Sequence, residues 1–233
     1  MTRLAGRVAL VTGASRGLGA AVALRFAAEG AHVVLTARTQ GGLEEVDDAI
    51  RGQGGSATLV PLDLADHDAI DHLGAALFER FGRLDILVGN AAMLGVISPT
   101  GHIDPKSWER VLAVNLSANW RLIRILDPLL RRSEGGRAIF VTCGQSQGVL
   151  PYWGAYAASK AALETLIRNY AGEVTKTPLR VNLLDPGPLR TKLRAAAFPL
   201  EDPSPLRLPE TITSAFVDLA ALDCERHGER VEA

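Results

Sequence analysis

Residues 7–19 read RVALVTGASRGLG, an apolar run that passes directly into a loop containing Gly13, Gly17 and Gly19. The consecutive apolar residues of the run are typical of a strand covered on both faces of a sheet. The glycines permit a tight turn and a close approach of a pyrophosphate to the backbone, and the N-terminus of a helix expected at Leu18–Glu29 favours negative charge there. This order of strand, glycine loop and helix predicts the first βα turn of a dinucleotide-binding fold.

The spacing of these glycines leaves a second interpretation open. Gly-x-x-x-Gly-x-Gly departs from the generic Gly-x-Gly-x-x-Gly form, and a flexible strand-to-helix turn with three incidental glycines would read the same way. The position of the loop at the first βα turn favours cofactor binding.

The rest of the chain alternates short apolar runs with longer helical patterns. After a first strand at Arg7–Thr12, strands are expected at His32–Ala37, Ala57–Leu62, Leu84–Gly89, Ala138–Thr142 and Leu179–Leu184, and helices at Leu43–Gly52, Asp66–Phe81, Pro105–Leu130 and Ala155–Thr175. Right-handed crossovers between parallel strands put helices on both faces of a sheet. We therefore predict an α/β fold over residues 1–233, a single-domain Rossmann-like doubly wound parallel sheet flanked by helices on both faces.

Composition and charge argue against several other classes of protein. Apolar residues make up 47% and charged residues 22% of the 233 residues, and the formal net charge is −1, so neither disorder nor a nucleic-acid-binding surface is indicated. No apolar run is long enough to cross a membrane, and the first residues lack the features of a secretory signal. Cys143 and Cys224 suggest neither a disulfide framework nor a metal site, and a cytoplasmic location is the simplest expectation.

The end of the second expected strand discriminates between cofactors. An NAD site usually carries an acidic residue there that accepts hydrogen bonds from the ribose 2′-hydroxyl, but Ala37 takes that place and Arg38 follows it. A guanidinium binds a 2′-phosphate through charge-assisted hydrogen bonds, and Arg16 in the glycine loop is placed to approach the same phosphate. Two solvated surface arginines are the alternative. The pattern favours NADP(H) and leaves NAD(H) open as a second cofactor.

Tyr156 and Lys160 lie four residues apart in GAYAASKAA, residues 154–162, a strong helix-forming stretch. This spacing places both side chains on one face of a helix. An ammonium beside a phenol favours phenolate, so we expect Lys160 to lower the pKa of Tyr156 towards a useful acid–base range. Taken alone, such a pair is also compatible with an ordinary exposed helix face.

Together with the glycine loop, these residues make the sequence resemble the short-chain dehydrogenase/reductase family over about four-fifths of its length. The motifs that match in order are Thr12-Gly13-x3-Gly17-x-Gly19, Asp63 after Pro61-Leu62, Asn90-Ala91-Ala92, Asn115, Tyr156-x3-Lys160 and Pro186-Gly187-x3-Thr191. The resemblance implies that Tyr156 exchanges a proton with the carbonyl or alcohol oxygen and that Lys160 binds the nicotinamide ribose. Asn115 would position a water that links Lys160 to bulk solvent.

The resemblance also implies a set of cofactor contacts and no metal. These are Gly13, Ser15, Arg16, Gly17, Leu18, Gly19, Arg38, Asp63, Leu64, Asn90, Ala91, Tyr156, Lys160, Pro186, Gly187 and Thr191. Asp63 would contact the adenine ring, and Thr191 with the backbone near Gly187 would anchor the carboxamide end of the nicotinamide.

One departure from the family pattern bears on catalysis. The family carries a serine thirteen residues before the tyrosine, and Cys143 stands there in this chain. A thiol is a weaker hydrogen-bond donor, and losing one good donor can cost on the order of 3 kcal/mol of transition-state stabilisation. Three interpretations are open: Cys143 substitutes at reduced efficiency, Thr142 or Ser146 supplies the hydroxyl, or the protein binds cofactor with little turnover. Nucleophilic catalysis by Cys143 would need a histidine base. The single histidine near an active-site element by sequence is His102, and loop histidines are more often solvated.

A second departure surrounds Asn90, where Gly89 and Ala92 replace an Asn and a Gly of the family pattern. Gly89 lacks a side chain that could fix neighbouring strands, and Ala92 adds a methyl group near the cofactor. We expect a local cost in rigidity and no loss of binding.

The sequence also predicts a substrate loop and an apolar pocket. We expect a substrate loop at roughly residues 188–209, and a pocket for a hydrophobic carbonyl or alcohol substrate lined by Met93, Leu94, Val96, Val149, Tyr152, Trp153, Leu193, Ala197 and Phe198. Arg190, Lys192 and Arg194 would form either an anion-favouring mouth or a solvated edge. The resemblance implies a homodimer or homotetramer. We predict an NADP(H)-dependent oxidoreductase that moves a hydride between the nicotinamide and a carbonyl or alcohol, and a non-catalytic NADP(H)-binding sensor or interaction protein is the alternative.

Overall fold

A computed structural model describes residues 2–233, within which seven parallel strands form one sheet in the order β3-β2-β1-β4-β5-β6-β7. The strands are β1 (Val8–Thr12), β2 (His32–Ala37), β3 (Ser56–Pro61), β4 (Ile86–Gly89), β5 (Arg137–Val141), β6 (Arg180–Asp185) and β7 (Arg230–Glu232). The strand order reverses direction at β1 and β4, and a ligand site is expected outside the carboxyl ends of the strands at this point. The predicted fold class is confirmed.

Helices cover both faces of the sheet. They are α1 (Gly17–Ala28), α2 (Gln40–Gly52), α3 (His67–Phe81), α4 (Pro105–Leu112), α5 (Ala118–Arg131), α6 (Gly154–Glu173), α7 (Lys192–Ala197) and α8 (Thr213–Ala220). Along β1, Ala9 and Val11 pack into a core with α1, α2 and α8, while Leu10 packs into the opposite core with α3, α5 and α6. This two-sided burial explains the consecutive apolar residues of the strands. In the described part of the chain, no helix combines the length and apolar character needed to cross a bilayer.

The helix expected at Pro105–Leu130 is present, and it contains a feature that the sequence did not indicate. A π turn at Ala113–Ser117 lies between α4 and α5. The side chain of Asn119, in the first turn of α5, donates to the carbonyl of Asn115 in the π turn at 2.9 Å. Such π turns widen the helix by one residue and occur often at functional sites. Here the turn directs the Asn115 side chain towards the cleft wall, as described below.

The strand β7 and the helices α7 and α8 are absent from the sequence expectations. β7 is three residues long and contains Val231 as its single apolar residue, so periodicity offers no signal for it. It pairs with β6, with Arg230 opposite Leu183 and Glu232 opposite Asp185. The last residues of the described chain therefore lie beside the carboxyl end of β6.

Gly89 at the end of β4 lies against the fully buried ring of Phe140 on β5. A Cβ on Gly89 would collide with that ring and would lie 2.6 Å from Oδ1 of Asn119. Neighbouring side chains therefore fill the space that a side chain at this position would occupy, and the expected local cost in rigidity stays a prediction.

Candidate active site

A cleft of about 830 Å³ opens at the carboxyl ends of the strands. The structure brings to its wall all of the predicted cofactor contacts and Cys143. Asn115 is the exception, because it is fully buried behind the wall. The lining also includes residues that the sequence reasoning did not single out for the site, among them Val114, Val141 and Asp185.

The conformation of the glycine loop requires glycine at positions 13, 17 and 19. Gly13 and Gly17 have φ of +67° and +55°, in the left-handed region that favours glycine. A Cβ on Gly19 would collide with the carbonyl oxygen of Gly13 and would lie 2.6 Å from Nδ2 of Asn90. That Asn90 side chain donates to the Thr12 carbonyl at 2.8 Å and joins the ends of β1 and β4. The loop is thus closely packed, which argues against three incidental glycines.

The two cations predicted to bind a 2′-phosphate lie at the open end of the cleft. Arg16 and Arg38 are exposed, line the cleft and have no carboxylate within ion-pair distance among the described residues. Ala37, where an acidic residue would contact a ribose 2′-hydroxyl, also lines this end. The arrangement leaves space and positive charge for a phosphate group.

Asp63 lies beside this end and is held by two contacts. Its Oδ2 accepts from the Arg110 guanidinium on α4 at 2.6 Å, and its Oδ1 accepts from the Ala65 amide at 3.0 Å. Burial raises the pKa of Asp63, but the hydrogen bonds from Ala65 and Arg110 and the positive charges of Arg110 and Arg38 outweigh burial and leave it below its ordinary value. Asp63 is therefore a fixed carboxylate acceptor at the cleft.

Tyr156 lies in the first turn of α6, and its side chain is buried in the cleft wall. Burial is the largest cause that raises the pKa of its phenol above the ordinary value, and the charge and side-chain hydrogen bond of Cys143 add to the effect. The thiol of Cys143 and the phenol of Tyr156 are thus direct neighbours. A group with this pKa holds its proton at neutral pH and can donate it.

Lys160 is one turn further along α6 and is also buried. Its ammonium donates to the Val141 carbonyl at 2.8 Å and lies 6.0 Å from the centre of the Tyr156 ring. Burial lowers the pKa of Lys160, and its electrostatic interactions with Cys143, Asp185 and Glu164 oppose burial only in part. The expectation that Lys160 lowers the pKa of Tyr156 is wrong in this arrangement, because desolvation of the phenol and its contact with Cys143 dominate.

Asn115 connects the cleft wall to α6. Its Oδ1 accepts from the Met93 amide at 2.9 Å, and its Nδ2 donates to the Met93 carbonyl and to Oγ of Ser159, both at 3.0 Å. The hydroxyl of Ser159 in turn donates to the Tyr156 carbonyl at 2.7 Å. Asn115 therefore fixes the wall at Met93 relative to the helix that carries Tyr156.

The two hydroxyls that could replace a catalytic serine are both bound elsewhere. Thr142 donates from Oγ1 to Glu164 Oε1 at 2.6 Å, and the single hydroxyl proton of Ser146 is shared between the Cys143 carbonyl at 2.7 Å and the same Glu164 oxygen. His102, the candidate base for a nucleophilic cysteine, is exposed in a short 3₁₀ turn. In this loop, Cys143 is the side chain that reaches Tyr156.

Aromatic and aliphatic side chains enclose Tyr156. Trp153 meets its ring edge-on with centroids 5.7 Å apart, and Phe198 of the substrate loop lies 5.4 Å from Trp153. Leu94 and Ala197 pack against the same cluster. The predicted pocket residues on the cleft wall are Met93, Leu94, Trp153, Leu193, Ala197 and Phe198.

Three predicted pocket residues lie elsewhere. Val149 is 97% exposed and Tyr152 is 58% exposed, and neither lines the cleft. Val96 lines a neighbouring groove together with Lys106 and Arg110. Val149 and Tyr152 lie away from the cleft because the segment before α6 turns outwards, with Tyr152 at a φ of +74°.

The substrate loop folds back on itself and uses two of its three predicted cations internally. Arg190 donates to the carbonyls of Pro203 and Ser204 at 2.9 and 2.8 Å. Arg194 forms a two-pronged ion pair with Glu201 and lies 3.8 Å from the centre of the Phe198 ring. These two guanidinium groups therefore hold the loop in shape instead of forming a free cationic mouth.

Thr191 begins α7 and accepts from the Arg194 amide through Oγ1 at 3.2 Å. A Cβ on Gly17 would lie 3.6 Å from its methyl group, so Thr191 faces the glycine loop across the cleft. The loop that follows β6 thus closes one side of the cofactor end.

Sequence reasoning missed three charged residues beside the cleft. Glu164, Asp185 and Arg230 form a connected set of ion pairs, with Arg230 between the two carboxylates. Glu164 lies one helical turn after Lys160, and Asp185 directly precedes Pro186, so both positions adjoin recognised motifs. Arg230 is 66 residues away from Glu164 in sequence, and no local pattern indicates the contact.

Comparisons with known proteins agree with this architecture. Residues 7–202 match the family described as short chain dehydrogenase. The chain is 35% identical over 223 residues to the uncharacterised oxidoreductase YciK of Escherichia coli K12, which covers 94% of this chain and 88% of that protein.

Two solved structures are also similar. A short chain dehydrogenase of Salmonella enterica serovar Typhi has a TM-score of 0.95 and 35% identity, covering 99% of this chain and 97% of that one. One from Shigella flexneri 2a, complexed with NADP, has a TM-score of 0.95 and 34% identity, covering 99% and 98%. The sheet, the glycine loop and these similarities lead to one conclusion: this chain belongs to the short-chain dehydrogenase/reductase family of oxidoreductases.

Proposed function

We propose that this chain is an NADP(H)-dependent oxidoreductase that transfers a hydride between the nicotinamide and the carbonyl or alcohol carbon of an apolar small molecule. The observation that carries the proposal is the shared cleft: Tyr156 and Lys160 line the same cavity as the glycine loop, and an apolar cluster surrounds the phenol. A proton donor, a cofactor cradle and an apolar chamber are the parts that carbonyl reduction requires.

The residues present fit a phosphorylated dinucleotide. The glycine loop offers backbone without side chains at Gly13 and Gly17, and the N-terminus of α1 follows it. Arg16 and Arg38 supply positive charge beside Ala37, where an NAD-type acid is missing. The Shigella relative was solved with NADP, which supports the same cofactor here. We infer a preference for NADP(H), with NAD(H) as the weaker alternative.

The bound nicotinamide would supply or accept the hydride, and the chain's own residues would handle the proton. In reduction, the Tyr156 hydroxyl donates its proton to the carbonyl oxygen as negative charge develops there. Cys143, in contact with that hydroxyl, is the second donor available to the same oxygen. Trp153, Phe198 and Leu94 exclude water from this position, which strengthens both interactions.

Lys160 and Asn115 take supporting roles. The Lys160 ammonium, now on the Val141 carbonyl, is one helical turn from Tyr156 and would bind ribose hydroxyls of the cofactor. Asn115 holds Met93 and α6 together, so we assign it a positioning role at the wall of the chamber. Pro186, Gly187 and Thr191 would cover the nicotinamide from the opposite side.

For the departure at Cys143, we favour direct substitution of a thiol for a hydroxyl. Thr142 and Ser146 are held by Glu164, and releasing either one would leave a buried carboxylate oxygen with fewer donors. The expected result is an enzyme with weakened polarisation of the substrate oxygen. A non-catalytic NADP(H) sensor on the same scaffold is the second candidate, and the raised pKa of Tyr156 together with Cys143 is the observation that favours it.

The test is a panel of apolar aldehydes, ketones and alcohols assayed with NADP(H) and NAD(H), alongside NADPH binding followed by fluorescence. The wild-type protein is expected to turn over members of the panel, and Tyr156→Phe is expected to lose turnover while keeping NADPH affinity. Binding of NADPH without turnover by wild type or by Cys143→Ser would favour the sensor. Failure to bind either nucleotide would reject both candidates.

We further propose that the protein forms a homodimer or homotetramer through the faces of α4, α5 and α6, as the family resemblance implies. Trp108 on α4 and Trp120 on α5 are 36% and 46% exposed, large apolar side chains of the kind that interfaces bury. Light scattering after size-exclusion chromatography tests this, and a monomer at micromolar concentration would contradict it.

A further inference from the structure

The described chain ends beside the cofactor cleft, where β7 pairs with β6. Arg230, the first residue of β7, directs its guanidinium inwards, and its side chain is only 14% exposed. Two carboxylates from other elements, Asp185 of β6 and Glu164 of α6, meet this guanidinium, and the exposed Glu232 of β7 itself lies 2.7 Å from its third nitrogen. A buried guanidinium is costly unless carboxylates pair with it in good geometry. The contacts of Arg230 therefore indicate which segments it holds in place.

The first contact is with the segment that covers the nicotinamide end of the cleft. A terminal nitrogen of Arg230 lies 2.5 Å from Oδ2 of Asp185, the last residue of β6. The other oxygen of Asp185 accepts from the Gly187 amide at 2.9 Å. Within residues 2–233, Arg230 is the one ion-pair partner of Asp185. The Asp185 carboxylate therefore attaches the turn at Pro186-Gly187 to β7. The backbone adds to this attachment, because the Ala233 amide donates to the Asp185 carbonyl at 3.0 Å and Arg207 donates to the carbonyls of both Pro186 and Ala233.

The second contact is with the catalytic helix and the loop that carries Cys143. Nε of Arg230 lies 3.4 Å from Oε1 of Glu164, whose side chain is 3% exposed. That same oxygen accepts from Thr142 at 2.6 Å and from Ser146. The other Glu164 oxygen is paired with Arg168 at 2.7 Å. Glu164 thus orders the loop around Cys143. Arg230 places positive charge between Glu164 and Asp185, with a hydrogen-bonded ion pair to Asp185 and an ion-pair contact without a hydrogen bond to Glu164.

We propose that Arg230 is a positioning residue for hydride transfer, which holds the Pro186–Gly187 turn and the Cys143 loop in one fixed geometry through Asp185 and Glu164. The inference rests on the proposed function for its kinetic consequence. Arg230 itself touches neither substrate nor cofactor in this assignment, and it acts on two sides of the reacting atoms at once. Small displacements of such supporting geometry can reduce turnover strongly.

Three variants test the assignment. Arg230→Met keeps an unbranched apolar stem and removes the guanidinium and its charge, and Arg230→Lys restores the charge but lacks the planar fork of nitrogens that meets both carboxylates. Arg226→Met is the matched control, because Arg226 is 55% exposed in the same segment and pairs only loosely with Glu229 at 3.9 Å. Melting temperatures establish that each variant is folded.

Two readouts are independent of turnover. Hydrogen exchange of the peptide containing residues 185–191 reports on the Gly187 amide, and titration with NADPH reports on the cofactor end of the cleft. We expect Arg230→Met to speed exchange in 185–191 and to weaken NADPH binding about tenfold, with Arg230→Lys intermediate and Arg226→Met unchanged. With a substrate from the panel, kcat should fall about tenfold or more while KM for the carbonyl compound changes little.

Exchange in 185–191 and NADPH affinity within twofold of wild type in Arg230→Met would overturn the assignment. So would a lower melting temperature with no local effect on this peptide, since that is the signature of a merely structural ion pair. If the wild-type protein binds NADPH without turning over any substrate, the proposed function fails, yet exchange and affinity still decide the role of Arg230. If it binds no NADPH, exchange alone decides.

Discussion

The thiol of Cys143 is hydrogen-bonded to the phenol of Tyr156, the proposed proton donor. The loop after β5 and the first turn of α6 therefore present sulfur and oxygen to the same point in the cleft. Nearby hydroxyls on Thr142 and Ser146 are bound by Glu164 and do not compete for this point. The chemistry at the substrate oxygen thus depends on a weak donor beside a strongly buried acid.

Replacing Cys143 with serine should increase carbonyl reduction. A hydroxyl at this position is a stronger donor to the developing oxyanion, and we expect kcat to rise by about tenfold to a hundredfold. Cys224→Ser, at the other cysteine, is the control and should leave the rate unchanged. Equal rates for Cys143→Ser and wild type would mean that the residue at 143 does not polarise the substrate.

The two reaction directions should differ in their pH dependence. Burial raises the pKa of Tyr156, so its phenol remains protonated through neutral pH and into the alkaline range. Reduction needs the protonated form and should be nearly constant at neutral pH, whereas alcohol oxidation needs the deprotonated form and should climb as pH rises. Initial rates in both directions, with NADP(H) binding measured at each pH, check this. An oxidation rate that levels off near neutral pH would show that the cofactor complex lowers the pKa of the phenol.

Arg38 should decide between the two nicotinamide cofactors. Arg38→Asp removes a cation from the 2′-phosphate position and restores an acid near the place where NAD sites carry one. We expect NADPH affinity to fall by about tenfold to a hundredfold, the value of a charge-assisted hydrogen bond, with NADH affinity equal or improved. Arg51→Ala, an exposed arginine on α2 paired with Asp47, is the control. Unchanged NADPH affinity in Arg38→Asp would remove Arg38 from the cofactor site.

Two glycine-to-alanine variants should have opposite effects. Gly19→Ala forces a Cβ into the Gly13 carbonyl, and because backbone cannot easily yield, we expect a loss of about 1–3 kcal/mol in unfolding free energy and weaker NADPH binding. Gly41→Ala has open space within 4 Å, lies in α2 and should stabilise by about 0.5–1 kcal/mol. Urea denaturation and NADPH titration compare the pair. A neutral Gly19→Ala would contradict the close packing of the loop.

Local sequence patterns predict most of the strands and helices of this fold. Strands such as β1 carry apolar residues at successive positions because helices cover both faces, and Asp104 with Pro105 marks the start of α4, where the carboxylate accepts from the Ser107 amide at 2.9 Å. The π turn at Ala113–Ser117 leaves no such mark. Asn115 within it makes side-chain hydrogen bonds to Met93 and Ser159, which are 22 and 44 residues away in sequence, and local patterns do not report such contacts.

The candidate site likewise contains residues that local sequence patterns identify and residues that only long-range contacts bring into place. Motif spacing identified many residues that line the cleft, since the motifs lie at the ends of strands, in the turns that follow them or on one face of α6. It missed Arg230 and its partner Asp185, because an ion pair between residues 45 apart depends on the pairing of β7 with β6. It also misjudged the pKa of Tyr156, which burial and Cys143 control more strongly than Lys160 does. Desolvation depends on the full surroundings of a side chain, which spacing alone does not describe.

The contact between Gly89 and the Phe140 ring has an evolutionary and practical consequence. A family-typical side chain cannot be introduced at position 89 while the ring occupies that volume, so the two sites are expected to vary as a pair. Consensus engineering that mutates position 89 alone would wedge β4 away from β5, whereas a smaller residue at 140 would have to come first. We therefore expect a double variant at positions 89 and 140 to be tolerated better than the variant at position 89 alone.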